Sequence, residues 1–362
     1  MLRPAGDSCL FAHALIRDAV YASLLRARRR ELHGLAAEWY ATRDISLRAE
    51  HLDRADDPQA PAAYADAADA QSNLLRYERA LQLAERGRVL ATSADDIVRL
   101  GLLRAAILRE LGRAQESLPA FREIAMAAEE SLAQCRAWIG VASCVRLLGG
   151  NDEGIAALKL AEPLAEKHQA QPELSDIHYY FGCLLFSAGD IDGCLRHHQR
   201  SHELAVKSGH AECEARALSG IGDALYGRGH MRRAIDHFGR CRTLCRERGF
   251  GRIEVGSTHM LGALRRYMLE GDEALEKLRD CVAMAERVGN FRTQMVALNI
   301  LGEILVDAVQ PSEARQVLTK ALELAETFDN TRYRAYVLYE LGRAHYYAGD
   351  DAQATLEQAL GY

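Results

Sequence analysis

Lysine is scarce in this chain: Lys159, Lys167, Lys207, Lys277 and Lys320 are the only five among 45 basic residues. So lopsided an arginine excess reads as a mark of GC-rich coding DNA and not as a phosphate-binding surface. Acidic residues outnumber basic ones by 51 to 45, a formal net charge of -6, which argues against a general nucleic-acid binder and against a binder of anionic membranes. Nothing approaches the roughly 18 consecutive apolar residues that span a bilayer, and the first residues lack a signal-peptide pattern. A cytoplasmic protein is expected. The nine cysteines are odd in number and contain no C-x-x-C pair, so neither a disulfide framework nor a zinc knuckle is indicated and reduced thiols are expected. Only seven prolines among 362 residues, with 49% hydrophobic residues, point to an ordered chain with ample core.

What the sequence does have is a ladder. Gly182, Gly222, Gly262, Gly302 and Gly342 stand 40 residues apart, and twelve residues after each comes Cys194, Ala234, Ala274, Ala314 or Ala354. Phe181, Ile221, Leu261, Leu301 and Leu341 precede the glycines. Leu204, Leu244, Met284 and Leu324 follow, each with a small neighbour, and then the punctuating Gly209, Gly249, Gly289 and Asp329. Upstream the register drifts, but the pairs Ala142 with Gly154, Ala105 with Ser117 and Ala68 with Ala80 keep the spacing of twelve. About eight units result. Apolar residues recur at helical intervals and short polar turns such as Ala188-Gly189-Asp190, Arg228-Gly229-His230 and Gln310-Pro311-Ser312 split each unit, which predicts two antiparallel helices. Small residues at matched positions let the two backbones approach closely. One such unit cannot bury its apolar face alone, so the array must stack into a solenoid.

These columns resemble tetratricopeptide repeats, best seen in Ile221-Gly222-Asp223-Ala224-Leu225-Tyr226 followed by Ala234-Ile235-Asp236-His237-Phe238. The resemblance covers residues 61–362 and implies an all-α, right-handed superhelical solenoid whose first helices line a concave wall. The 40-residue period and endings such as Ala285-Glu286-Arg287-Val288-Gly289 look like the longer repeats of kinesin light chains and spindle-orientation adaptors. Residues 1–60 form a separate helical segment. Within it, the run from Phe11 to Leu25, then Arg29-Arg30-Glu31-Leu32-His33, is similar to the junction that follows the ATPase module in large bacterial signalling proteins of the cyclase and transcription-regulator type. Yet the chain holds no G-x-x-x-x-G-K-[ST] run and no Gly-Lys pair, so any ATPase belongs elsewhere. The short final unit, ending at Leu360-Gly361-Tyr362, reads as a cut or buried end of a larger protein or of its free-standing descendant.

Histidines thicken in the middle: His197, His198, His202, His210, His230 and His237. His198 and His202 stand one turn apart, a spacing that can serve a metal, but His198 shares a column with Phe238, Leu278 and Leu318. Packing is the better reading, and no metal or cofactor is expected. Cys194, Cys241, Cys245 and Cys281 fill small-residue columns, and no nucleophilic triad can be assembled, so the chain is read as a non-enzyme. The Arg26-to-Arg30 run reads as a solvated face or an interdomain contact.

The resemblance places the residues three before, one after and four after each anchor glycine in the groove. That selects Tyr179, Cys183 and Phe186; Ser219, Asp223 and Tyr226; His259, Ala263 and Arg266; Asn299, Glu303 and Val306; and Tyr339, Arg343 and Tyr346. With Tyr336 and Tyr347, tyrosine and arginine crowd the C-terminal end, the residue types that dominate interfaces. An asparagine at the Asn299 position clamps the backbone of a bound peptide in the long-period relatives. The expectation is a regulatory scaffold that binds a partner protein or peptide in this groove, with Asn299, Arg266 and Arg343 as polar clamps. It binds neither nucleic acid nor membrane, and self-association through the C-terminal end is a further outcome. The alternative is a small-molecule-sensing domain of a bacterial regulator.

Overall fold

The computed structural model describes residues 2–5, 8–11, 13–127, 130–268, 271–327 and 331–361. A small antiparallel hairpin of β1 (Leu2–Ala5) and β2 (Ser8–Phe11) opens the chain. The N-terminal segment had been expected to be wholly helical; strands of four residues carry too few alternations to be read from the sequence. Three helices follow, α1 (Ala14–Ser23), α2 (Arg26–Tyr40) and α3 (Ile45–Arg54). Then come eight helix pairs: α4 and α5 (Ala60–Asn73, Tyr77–Leu90), α6 and α7 (Ala94–Glu110, Ala114–Ala127), α8 and α9 (Leu132–Leu147, Asn151–Lys167), α10 and α11 (Gln171–Ser187, Ile191–Ser208). The last four are α12 and α13 (Ala211–Gly227, Met231–Arg248), α14 and α15 (Gly251–Tyr267, Gly271–Arg287), α16 and α17 (Phe291–Asp307, Pro311–Thr327), and α18 and α19 (Thr331–Ala348, Gln353–Leu360). The chain divides into two compact units, residues 1–124 and 125–362.

In the first unit α3 packs against both α2 and α4, and Ala37, Ala49 and Leu52 share a core with Ala63, Tyr64, Ala68, Ala80 and Leu83. At the N-terminus the hydroxyl of Tyr21 reaches His33 at 2.9 Å, and His33 Nδ1 meets His51 Nδ1 at 2.8 Å, which ties α1, α2 and α3 together. Burial pulls the pKa of both histidines below the usual value.

In the second unit the first helix of each pair (α8, α10, α12, α14, α16, α18) packs on the first helix of the next, whereas among the described residues successive second helices are not in comparable contact. An array packed more closely on one side curves toward that side, so the first helices form the inner, concave layer. The glycine ladder makes this possible. A Cβ at Gly222 would stand 2.7 Å from the Phe238 ring, and one at Gly262 2.7 Å from Leu278. The anchor therefore meets the large residue sixteen positions on, while Ala234, Ala274 and Ala314, fully buried, fill the column twelve positions on. The last unit breaks step. Gly342 faces Leu356, and the buried small residue is Ala352; Ala354, the residue the ladder selects, is exposed. The last helix also starts late: α19 begins at Gln353, eleven residues after its anchor glycine, where α11, α13, α15 and α17 begin nine residues after theirs.

A second stitch recurs 26 residues apart, where a small polar side chain spans the crossing of two helices. Cys135 donates to the Ala161 carbonyl, Ser175 to that of Ser201, Cys241 to that of Ala215 and Cys281 to that of Val255, at 2.9 to 3.5 Å. These buried thiols are weak donors in tight columns, and no disulfide joins the described cysteines. Gly209 (φ 66°) and Gly249 (φ 78°) end α11 and α13 in the left-handed region, where a residue without Cβ is favoured. Asp329, the fourth residue of that column, lies outside the described residues. No helix of the described residues is long and apolar enough to cross a membrane.

Candidate functional site

The inner face of the second unit has two chemically distinct stretches. Its middle is built by α8, α10, α12, α14 and α16. Tyr179 on α10 is half-buried, its ring 5.2 Å from Tyr180, 5.4 Å from His198 and 5.9 Å from the Arg216 guanidinium. The charge on neighbouring Cys183, one turn on, and then desolvation lift its phenol well above the ordinary tyrosine range. Arg216 is held by Asp176 at 3.0 Å and Glu212 at 3.7 Å. Asp223, one residue past its anchor glycine, makes no hydrogen bond or ion pair among the described residues. Desolvation raises its carboxyl to about 7, against the pull of Arg146 from α8. Burial lowers His259 to about 4, and its buried Nδ1 has no hydrogen-bond partner among the described residues. Asn299 carries a buried side-chain oxygen, Oδ1, with no hydrogen-bond partner among the described residues, a state that native folds rarely leave unexplained.

The C-terminal stretch is the opposite case. Arg266 is bound to Glu303 at 2.6 Å and to Asp307 at 2.7 Å; Arg343 is bound to the same Asp307 and to Glu340, both at 2.8 Å. Burial would raise Asp307, but hydrogen bonds from Arg343 and Arg266 outweigh it and hold the carboxyl below its usual value. The aromatic residues gather here. The rings of Tyr226 and Tyr267 stand 6.2 Å apart between centroids, and Arg343 stands 6.0 Å from the Tyr339 ring. Tyr336, Tyr339, Tyr346 and Tyr347 are exposed. Phe186 and Tyr226 lean on the core cluster of Ile221 and Leu225, so part of each serves packing. The two arginines expected to clamp a ligand are thus engaged with their own carboxylates.

Three residues that the sequence reading passed over help build the middle of the groove: Arg146, Arg292 and Tyr333. The signal was present. Arg146 is four residues after Ala142, so it fills the upstream position of the Phe186, Tyr226 and Arg266 column. Arg252, Arg292 and Arg332 are a ladder of their own, 40 residues apart; the Arg332 side chain lies outside the described residues.

His198 is 1% exposed, wedged between Gly182 and Gly220, and desolvation drives it to about 3. His202 instead faces Glu214 at 3.9 Å, and His197 pairs with His178 at 3.0 Å. Among the described residues no group of three or more His, Cys, Asp or Glu side chains is placed to hold a metal ion. In the first unit, a cleft of about 230 Å³ beside Glu50, Asp53, Tyr64, Arg79 and Arg86 is occupied by internal pairs. Arg86 donates to both Asp53 oxygens at 2.7 and 2.9 Å, and Arg79 to Glu50 at 2.7 Å.

Stacked helix pairs, a glycine ladder and a concave inner layer define an all-α solenoid with tetratricopeptide-like packing. The Tetratricopeptide repeat family profile matches residues 174–247. No curated protein matches the sequence. Among solved structures, the chain is similar to a Signal Transduction ATPase with Numerous Domains (STAND) protein with a tetratricopeptide repeat sensor from Pyrococcus horikoshii. That similarity has a TM-score of 0.63 and 14% identity, covering 99% of this chain and 56% of that one. It is also similar to a Rap protein complexed with Competence and Sporulation Factor, with a TM-score of 0.64, 13% identity, and 84% and 86% of the two chains covered. The apo quorum sensor NprR from B. thuringiensis gives a TM-score of 0.53 at 12% identity, over 81% and 83%. The chain spans little more than half the length of the STAND protein. At these identities the likeness is one of fold.

Proposed function

We propose that this chain is a regulatory interaction scaffold whose inner groove takes up a peptide or an extended protein segment. The observation that carries the reading is Asn299: a buried acceptor oxygen without a donor, on the inner helix layer. A backbone N–H of a bound chain is the donor such a site lacks, and leaving the oxygen bare costs about 1–3 kcal/mol. The exposed tyrosines at the C-terminal end add contact area with few torsions to freeze. The solved structures of like fold include a Rap protein bound to a peptide factor and a repeat sensor joined to an ATPase. A sensing or recruiting role within a cytoplasmic regulatory system is consistent with both.

Affinity capture from lysate of the source cell, with Asn299→Ala beside the unaltered chain, tests the reading. A protein or peptide retained by the unaltered chain and about tenfold depleted from the variant supports it; identical captures from both refute it. A small-molecule sensor is the second reading, favoured by the convergence of Tyr179, Cys183 and the unpaired Asp223. Native mass spectrometry that finds a co-purifying small molecule and no peptide selects that reading.

A further inference from the structure

The joint between α12, α13 and α14 departs from the ladder in two places. The column of Ala205, Ala285 and Ala325 holds Cys245, and the column of Ile177, Ala217, Ala297 and Val337 holds Ser257. Both departures converge on one sulfur. Cys241, one turn before Cys245 on α13, stands 4.0 Å from it, sulfur to sulfur, and accepts a hydrogen bond from the Ser257 hydroxyl at 2.9 Å. Its own S–H goes to the Ala215 carbonyl at 3.1 Å, so Cys245 is the donor within the thiol pair. The hydrogen bond from Cys245 draws the Cys241 thiol below its ordinary value against desolvation, and Ser257 adds to that pull. A thiolate at Cys241 therefore has two donors already aimed at it. Packing alone asks for neither Cys245 nor Ser257, since apolar side chains fill both columns in the other units.

The separation of the sulfurs selects among the reactions open to a thiol pair. A disulfide needs them at about 2.05 Å, roughly half the distance seen, so the helix or both rotamers would have to give. One soft ion held about 2.3 Å from each sulfur spans about 4.0 Å when bent to about 120° and about 4.6 Å when linear, and the pair already stands at the lower of these. Thiolates select cuprous ion, which two ligands satisfy, whereas structural zinc takes four; among the described residues no third His, Cys, Asp or Glu side chain completes a metal-binding group. We propose that Cys241 and Cys245 form a two-coordinate site for cuprous ion in the core of the second unit. Both thiols release their protons to solvent, two S–Cu bonds form with no change of oxidation state, and the single negative charge that results is met by the Ser257 O–H. Both cysteines are fully buried, but Cys245 lies in the last turn of α13 and is followed by the exposed residues 246–249, so fraying of that helix end is the way in. The site stands apart from the groove and does not rest on the peptide reading.

Competition for copper tests it. The reduced full chain, without a histidine tag, is titrated anaerobically into cuprous bicinchoninate, and loss of the coloured complex reports the copper that the protein withdraws. Cys241→Ala, Cys245→Ala and Ser257→Ala are titrated in the same way, with Cys281→Ala, the sibling of Cys241 in the next unit, as control. Cys245→Ala installs the residue its column has elsewhere and so keeps the fold, and thermal melting checks every variant. One equivalent withdrawn by the unaltered chain and by Cys281→Ala, with affinity lower by more than about a hundredfold in Cys241→Ala and Cys245→Ala, supports the site. Ser257→Ala should weaken binding about tenfold, as loss of a hydrogen bond to a metal ligand does. An unaltered chain that withdraws no copper overturns the inference, and so does copper withdrawn equally by the unaltered chain and by Cys245→Ala, which would assign it to other thiols.

Discussion

The middle and the C-terminal end of the groove use the same residue types to opposite effect. At the end, Asp307 ties Arg266 to Arg343, and Glu303 and Glu340 take up what remains of the two guanidinium groups. In the middle, among the described residues, Asp223 has no such partner and is raised by desolvation to about 7, Arg292 has no hydrogen bond or ion pair, and Asn299 Oδ1 is bare. The first arrangement is self-satisfied and stabilises the array, whereas the second costs stability as it stands, and under the proposed function a bound segment would recover it. Where a fold tolerates unsatisfied polar groups, function is the usual reason.

Packing sets the largest test of this contrast. Gly302, on the helix that carries Asn299, is pressed against both branches of Leu318, a residue at 0% exposure within the array. Gly302→Ala is expected to cost about 2–3 kcal/mol by overpacking. Gly342 presses on Leu356 of the terminal helix α19, which is only partly buried and is free to give. Gly342→Ala should cost about 1 kcal/mol. Thermal melts of the two variants that show equal losses would mean that the end is as rigid as the middle.

The two aspartates give the next contrast, with opposite signs. Asp223 has a folded pKa above its unfolded value, so its effect on stability is absent below about pH 4, grows as a penalty as pH rises from there to about 7, and is complete above it. Asp223→Asn should therefore stabilise the chain at pH 8, by about 2 kcal/mol allowing for partial exposure, and leave it unchanged at pH 4. Asp307 has a depressed pKa, so its contribution is present above the unfolded value and lost in acid. Asp307→Asn should destabilise by about 1 kcal/mol at pH 8, because its pairs are partly exposed. Urea unfolding at the two pH values checks both signs. A destabilised Asp223→Asn would place that carboxylate among the structural pairs.

Legibility in the sequence follows the same division. The helix pairs, their turns and their close approaches were readable, because a 40-residue repeat compares each position with its siblings: Phe238, Leu278 and Leu318 identify His198 as a core residue before any coordinates do. The slip of the final unit to Ala352 and Leu356 was not readable, since a register shift has no signature in composition. Groove positions could be selected by spacing, but spacing says nothing of what each side chain meets across the curve. Arg266 and Arg343 looked like free clamps because Asp307, five residues past Gly302, stands outside the three columns considered. Arg146 was passed over because it lies upstream of the five regular anchors, and Arg292 because it stands ten residues before Gly302, outside the three columns considered.

The smallest effect lies at the turn that leads out of α16. In the equivalent place of the other described pairs of the second unit the chain adopts a left-handed conformation with glycine: Gly149, Gly189, Gly229 and Gly349, at φ between 76° and 85°. Val309 holds the same region at φ 57°, where a β-branched side chain meets the carbonyl and costs about 1–2 kcal/mol. Glycine gives back part of that through the greater freedom of the unfolded chain. Val309→Gly should thus raise stability by about 1 kcal/mol, seen as a small upward shift in thermal melting. The turn follows Asp307 by two residues and stands well away from Asn299, so ligand affinity in the middle of the groove should not change. A gain in stability with unaltered binding would separate this turn from the middle of the groove, whereas a loss of affinity would mean that the strained turn helps to position Asn299.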